Sequence, residues 1–232
     1  MISLGGRMKG NYESRYRFYL TRRTPVIIRL DGKAFHTLTA HCDKPFDKSF
    51  TNIMDKTALY LCENIQGAKL AYVQSDEISI LLTDYDKLNT DAWFDYNLQK
   101  IVSVSAGMAS VFFSNLWGGP AVFDSRAFNI PKEEVRNYFV WRQKDWFKNS
   151  IQMLTRFWYS HKELHKKKIQ DLHEMLFDKG VNWSKLEDRY KNGCCITNYK
   201  EWKKHYNFIF TDYFTIFETI LEPEIEEIIK ED

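Results

Sequence analysis

The sequence predicts an α+β fold: a ferredoxin-like βαββαβ antiparallel sheet of palm type, with packed helices and a C-terminal helical extension. Three observations predict it. Apolar runs and helical stripes follow one another as strand, helix, strand, strand, helix, strand, the split βαβ order. Two of the strand-like runs meet at Ser75-Asp76-Glu77, for which a hairpin is the natural reading, although two carboxylates without glycine are a poor turn choice. From Pro131 to about Phe177 the apolar spacing turns helical. Residues 1–130 are therefore expected to form a palm-like domain, and 131–232 a helical C-terminal region packed on it.

Taken in order, Tyr12 to Arg22 mixes aromatics with arginines and is expected to form a helix leading into the first strand. The preceding residues, Met1 to Arg7, carry Gly5-Gly6 and read as a poorly ordered or non-native start. The first strand, Pro25 to Leu30, is apolar on both faces and should be central. Phe50, Ile53, Met54, Ala58, Leu61, Cys62 and Ile65 recur at helical spacing, with Asp47 or Ser49 as N-cap and Gly67 as stop. Strands follow at about 68 to 74 and 77 to 83. Thr90 is the expected cap of a second helix running through Trp93 and Tyr96 toward Phe113, and Ala121 to Phe128 reads as the fourth strand. Pro131 with Glu133 and Glu134 opens a long helix to about Tyr159, suited to its positive N-terminal end. A further helical run spans about Lys162 to Phe177, and the remainder is mixed.

Composition narrows the class. The chain has 232 residues and 16% aromatics, enough for a substantial core and against disorder. Net charge is only +2, yet Arg7, Lys9, Arg15, Arg17, Arg22, Arg23, Arg29 and Lys33 face just Glu13 and Asp31 near the N-terminus, while Glu218 to Asp232 is acidic. That asymmetry suits a polyanion near the N-terminal half, or equally a solvated basic face. The acidic end, Glu222 to Asp232, reads as an assembly surface or a solvated helix. Cys42, Cys62, Cys194 and Cys195 show no C-x-x-C spacing and are read as reduced thiols of a cytoplasmic protein, with a mitochondrial site open for a eukaryotic source. No run approaches the ~18 apolar residues of a membrane helix.

The chemistry is expected at the hairpin. Right-handed crossovers make the first and second strands parallel with the third between them. Asp31, ending the first strand, then shares one edge with Asp76 and Glu77. Like charges ~4 Å apart repel by roughly 4 kcal/mol at an effective dielectric of about 20. Either the three are solvated strand-end carboxylates or a divalent cation offsets the repulsion, and Mg²⁺ commonly shares one or two carboxylates with substrate phosphates. Asp31, the Gly32 carbonyl and Asp76 are the candidate ligands; Glu77 is a further ligand through a bend, or a bystander. Two such ions can activate a hydroxyl and stabilise a leaving pyrophosphate. Lys33, His36, Lys44, Ser75 and Lys100 are candidates to neutralise or hydrogen-bond a triphosphate, or are ordinary surface groups. His161 and His165 have the spacing of a zinc pair, but Lys162 stands where a catalytic H-E-x-x-H has Glu. With Lys166, Lys167 and Lys168 alongside, a solvated face or an RNA phosphate contact are the other readings. Cys194-Cys195 is a redox pair or two buried small hydrophobes.

With those residues in place, Met8 to Tyr159 resembles the tRNA-His guanylyltransferase superfamily, and most closely its Thg1-like protein branch. The motifs are Arg29-Leu30-Asp31-Gly32-Lys33-Ala34-Phe35-His36, Lys44-Pro45, Gln74-Ser75-Asp76-Glu77-Ile78-Ser79, Phe123-Asp124-Ser125-Arg126 and Trp141-Arg142-Gln143. The resemblance implies addition of nucleotides to the 5′ end of tRNA in the 3′-to-5′ direction, after ATP or GTP activates the 5′-monophosphate. It implies Asp31, Gly32 and Asp76 as Mg²⁺ ligands and Glu77 as their acidic catalytic partner. Nucleotide contacts would come from Asp31, Gly32, Lys33, Ala34, Phe35, His36, Ser75 and Asp76, with Lys44, Lys100 and Arg126 near phosphates. A homotetramer is implied too, and tRNA contacts are expected at His161, Lys162, His165, Lys166 and Lys167. Where members that add guanosine to tRNA-His carry His-Ile-Asn, this chain has Phe147-Lys148-Asn149. The departure favours template-directed repair of 5′-truncated tRNAs over the dedicated tRNA-His reaction. A non-catalytic tRNA-binding protein is the reading from another class, although paired acids would repel phosphate.

Overall fold

The computed structural model of the protein describes residues 2–198, 200–213 and 215–221. Six strands form one antiparallel sheet in the order β4-β1-β3-β2-β5-β6: β1 Val26–Gly32, β2 Ala68–Gln74, β3 Glu77–Leu82, β4 Phe123–Asn129, β5 Cys194–Asn198 and β6 Trp202–His205. Because β3 is antiparallel to both β1 and β2, those two run parallel with β3 between them, as the crossover rule requires. The C-terminal region is largely helical. It also supplies β5 and β6, which extend the sheet beyond β2.

Alternation along the strands assigns the two faces. Ile28, Leu30, Ile78 and Ile80 meet α2 (Phe35–Leu38), α3 (Lys48–Asn64) and α4 (Leu98–Trp117) through Phe35, Met54, Leu61 and Phe113. Ile27, Leu70, Tyr72 and Leu81 meet α5 (Lys132–Trp158) through Val135 and Phe139, together with Phe210 and Phe217. Gln143 ties α5 to the tail, donating to the Asn192 and Phe208 carbonyls and accepting from the Phe210 N–H. The far half of α5 packs Ile151 and Leu154 on Leu172 and Leu176 of α7 (Ile169–Asp178).

Local chemistry sets the boundaries. Asp47 caps α3 by accepting the Phe50 N–H at 2.7 Å. Gly67 follows at φ 80°, where a Cβ would lie 2.5 Å from the Thr83 carbonyl oxygen, so glycine is required. Three expectations need correction. The N-terminal helix is α1, Leu4–Asn11, rather than 12–22; it rests on the Ser3 cap and buries no side chain, so no apolar stripe announces it. Thr90 caps no helix, because Phe94, Asp95 and Tyr96 are left-handed at φ 52°, 52° and 56° and α4 begins after Asn97, whose side chain accepts the Lys100 N–H. Arg22 braces that turn, donating to Asp95 at 2.9 Å and to the Thr90 carbonyl at 3.0 Å. Finally, the run from Lys162 is split into α6 (His161–Leu164) and α7 by Lys166 at φ 62°. Among the described residues no helix is long and apolar enough to cross a membrane. The acidic end, 222–232, lies outside the described residues.

Candidate active site

β2 and β3 are joined by only Ser75 and Asp76, with Gln74 paired to Glu77. Ser75 sits at φ 46°, a left-handed value that hairpins usually give to glycine. A residue held this way at a strand junction often marks a working site. The Gly32 N–H donates to the Asp76 carbonyl at 3.2 Å, fixing the end of β1 to the hairpin tip. Asp31 is thereby brought beside Asp76, as expected.

In register, Asp31 lies between Glu77 on β3 and Asp124 on β4, and directly opposed residues share a face. Three carboxylates thus stand in a row, with Asp76 at the tip. Two of the four have their own arginine. Asp124 takes Arg126 at 3.0 Å. Glu77 is held on both oxygens by Arg142 of α5, Nε to Oε1 and Nη2 to Oε2, each at 2.7 Å. Among the described residues neither Asp31 nor Asp76 has an ion-pair partner. Burial first, and then the charges of Asp31 and Glu77, push the Asp76 carboxyl above the usual range, while a Ser75 hydrogen bond partly opposes this.

Those facts bear on magnesium. No three His, Cys, Asp or Glu among the described residues form a ready-made metal cage, and the expected third ligand, Glu77, is turned into Arg142. Two uncompensated aspartates at an edge nevertheless fit Mg²⁺, which completes its shell with water and phosphate oxygens.

Two cavities adjoin at this edge and share Ser75, Asp76, Trp146 and Met153. One, of about 220 Å³, is lined by Phe35, His36 and Lys44 and walled by Phe46 stacked on Tyr190, ring centroids 4.6 Å apart. The other holds Asp31, Glu77, Arg142, Asn149, Gln152 and Arg156. An aromatic wall beside an acidic edge offers a base something to stack on while its phosphates reach the aspartates.

The remaining expected residues fall as follows. His36 and Lys44 line the aromatic cavity, where the Lys44 ammonium donates to the Thr39 carbonyl at 2.8 Å. Phe35 is a core side chain, 3% exposed among Phe50, Phe113 and Phe123. Lys33 is exposed, and Ala34 takes a left-handed turn at φ 57°. Lys100 is not brought to the hairpin; it lines a separate groove with Arg17, Tyr19 and Phe94. His161, Lys162, His165, Lys166 and Lys167 are all exposed beyond the end of α5. The break at Lys166 leaves His161 and His165 on no common helix, and they form no metal cluster. Cys194 and Cys195 are free and buried on opposite faces of β5, which suits core side chains rather than a redox pair.

Sequence reasoning assigned no role to Arg142, Phe46, Tyr190 or the buried Asp55–Arg189 pair. A signal for Arg142 exists: Val135, Tyr138, Phe139, Arg142 and Trp146 share one helical face, which puts a charge on an apolar seam.

Fold and edge together define a palm-type protein equipped to handle phosphate esters. Its family is more specific. The family model for tRNA-His guanylyltransferase matches residues 6–131, and the chain belongs to that family of nucleotidyltransferases. A bacterial tRNA-His guanylyltransferase (Thg1)-like protein solved in complex with ATP is 44% identical, with a TM-score of 0.91 over 95% of this chain and 100% of that one. A second such structure, in complex with GTP, is 42% identical with a TM-score of 0.84, covering 94% of this chain and 99% of that one. The tRNA-His guanylyltransferase of Schizosaccharomyces pombe is 31% identical over 75% of this chain and 73% of its own.

Proposed function

We propose that this protein adds nucleotides to the 5′ end of tRNA in the 3′-to-5′ direction under the direction of a template, and so repairs 5′-truncated tRNAs. The observation that carries the chemistry is the bare Asp31–Asp76 pair, flanked by two acids that already have arginines. An edge of that charge favours a divalent ion with phosphates and disfavours RNA phosphate alone. Relatives solved with ATP and with GTP support nucleotide binding here.

In this reading Asp31, the Gly32 carbonyl and Asp76 hold Mg²⁺, with two ions in the working complex. Bound there, it would supply neutralisation of the charge that builds on the phosphoryl oxygens. The aromatic cavity holds the activating nucleotide, with Phe46 and Tyr190 beside its base and His36, Lys44 and Ser75 toward its phosphates. The tRNA 5′-phosphate oxygen attacks the α-phosphorus of ATP or GTP and releases pyrophosphate. The 3′-hydroxyl of the incoming nucleotide then attacks the activated tRNA phosphorus and releases the nucleoside monophosphate. Watson–Crick pairing with the opposite strand selects the nucleotide, so the protein need read only tRNA shape and phosphates. His161, Lys162, His165, Lys166 and Lys167 are the proposed phosphate contacts, and a homotetramer the proposed assembly.

Phe147 favours repair over the dedicated tRNA-His reaction. Its ring packs edge-on against Trp183, centroids 5.9 Å apart, so this position holds the segment after α7 against α5 rather than offering an imidazole. Asn149, which is retained and lines the acidic cavity, favours the alternative of adding one guanosine to full-length tRNA-His. The deciding experiment offers labelled nucleotides to a 5′-monophosphorylated tRNA lacking its first nucleotide and to intact tRNA-His. Template-matched addition to the truncated tRNA is expected. Guanosine added only to intact tRNA-His would overturn the repair reading, and tRNA binding without addition would overturn both.

A further inference from the structure

Glu77 stands at the first position of β3, next to Asp76 and opposite Asp31, yet both oxygens of its carboxylate are taken by other side chains. Arg142 grips both oxygens at 2.7 Å, Gln74 Nε2 donates to one at 3.2 Å, and the whole group is buried, Glu77 at 8% and Arg142 at 7% exposure. Arg142 is itself fixed: it donates to Asp145 at 3.2 Å and lies over the Trp141 ring, 4.5 Å from its centroid. Asp145 in turn accepts from Asn149 at 3.3 Å, and Asn149 lines the cavity that contains Asp31 and Asp76. One continuous chain of polar contacts therefore runs from the hairpin through Glu77, Arg142 and Asp145 to a cavity-facing amide on α5.

We propose that Arg142 is a positioning residue for the transfer reaction: its bidentate grip keeps Glu77 out of the metal shell and fastens the Ser75–Asp76 tip to α5. Glu77 then acts through Arg142 and is not a metal ligand. The inference rests on the Asp31–Asp76 metal site described above, and it reassigns the third acid of that edge. A planar guanidinium that satisfies both carboxylate oxygens leaves neither well aimed at a cation on the Asp31 side. It also balances one of the four negative charges, as Arg126 balances Asp124, so the remaining Asp31–Asp76 pair matches a divalent ion.

The test is Mn²⁺ binding, read by electron paramagnetic resonance in the presence of a non-hydrolysable ATP analogue, alongside single-turnover nucleotide addition. The central variant is Glu77→Gln with Arg142→Met in one chain. It removes both charges together, and replacing a buried ion pair in this way is often neutral for folding; Arg29, 4.0 Å from Glu77 in the unaltered chain, then faces the neutral amide. Expected is Mn²⁺ affinity within about threefold of the unaltered chain, with addition slowed by roughly tenfold or more at unchanged nucleotide KM. Asp76→Asn is expected to weaken Mn²⁺ by roughly tenfold or more, since a ligand charge is lost. Arg142→Lys keeps the charge but not the fork, so it should bind Mn²⁺ normally and fall between the other two in rate.

Loss of Mn²⁺ by the double variant to the extent seen for Asp76→Asn would make Glu77 a ligand and overturn the inference alone. Full addition by the double variant would show that the pair positions nothing. Failure of the unaltered chain to bind Mn²⁺ would contradict the metal site itself, and this inference with it.

Discussion

Gly32→Ala tests the geometry at the heart of the site. A Cβ built on Gly32 would meet the Phe35 ring at 2.4, 2.6 and 2.7 Å, closer than any real contact. The ring can give way only toward the aromatic cavity it borders: it is 3% exposed and packs on Phe123, Phe113 and Phe50 at centroid separations of 4.9, 5.2 and 6.1 Å. Overpacking of this kind costs about 1–3 kcal/mol, so the variant should lose about 2 kcal/mol of stability in urea. Strain is passed to the turn that carries Ala34 and His36 beside the aromatic cavity, and ATP-dependent addition should fall with it. Phe35→Leu separates the cause, because a smaller side chain makes room for the methyl. Alone it destabilises by opening a cavity. Combined with Gly32→Ala, it should cost less than the sum of the two single changes by about 1 kcal/mol or more. A Gly32→Ala protein within about 0.5 kcal/mol of the unaltered chain, or strictly additive effects, would refute the steric argument.

Asp55→Ala strands Arg189, which makes three close contacts to it at 2.8 to 3.1 Å and lines the aromatic cavity; a loss of about 3–5 kcal/mol is expected by denaturant unfolding. Replacing both, by Asp55→Leu with Arg189→Met, should recover most of that stability, and a double variant as unstable as the single would contradict the ion-pair account. In metal-free protein the raised Asp76 carboxyl means that the folded state holds its proton more tightly than the unfolded state, so ionisation opposes folding. Asp76→Asn should therefore stabilise the metal-free chain at neutral pH, with the gain fading as pH falls below the folded carboxyl's titration; an equal gain at acid and neutral pH would contradict this. Chelation of divalent ions by EDTA should abolish addition, and Mg²⁺ should restore it; addition that survives EDTA would remove the metal from the account.

What the sequence disclosed follows from range. β1, the hairpin and α3 were legible because each is a local pattern: an apolar run, a two-residue junction, a stripe at helical spacing with Asp47 ahead of it. The crossover rule then placed Asp31 beside Asp76 without any distance information. Contacts between distant residues were not legible. Arg142 reaches Glu77 across 65 positions and Arg189 reaches Asp55 across 134. The left-handed turn at Phe94 to Tyr96 escaped because non-glycine residues there follow no local rule and depend on Arg22 for bracing. β5 and β6 escaped for a different reason: Trp202–His205 is a short lysine-bearing edge strand, and its alternation is weak.

Changing the template base tests the central claim most directly. A 5′-monophosphorylated tRNA lacking its first nucleotide is prepared in four forms that differ only in the base opposite the gap. Each is offered all four nucleotides with Mg²⁺ and ATP, using the unaltered chain and Asp76→Asn. The account predicts that the added nucleotide follows the opposing base in every case, and that Asp76→Asn, folded and still binding tRNA, adds none. The same nucleotide added whatever the template, or full addition by Asp76→Asn, would contradict it.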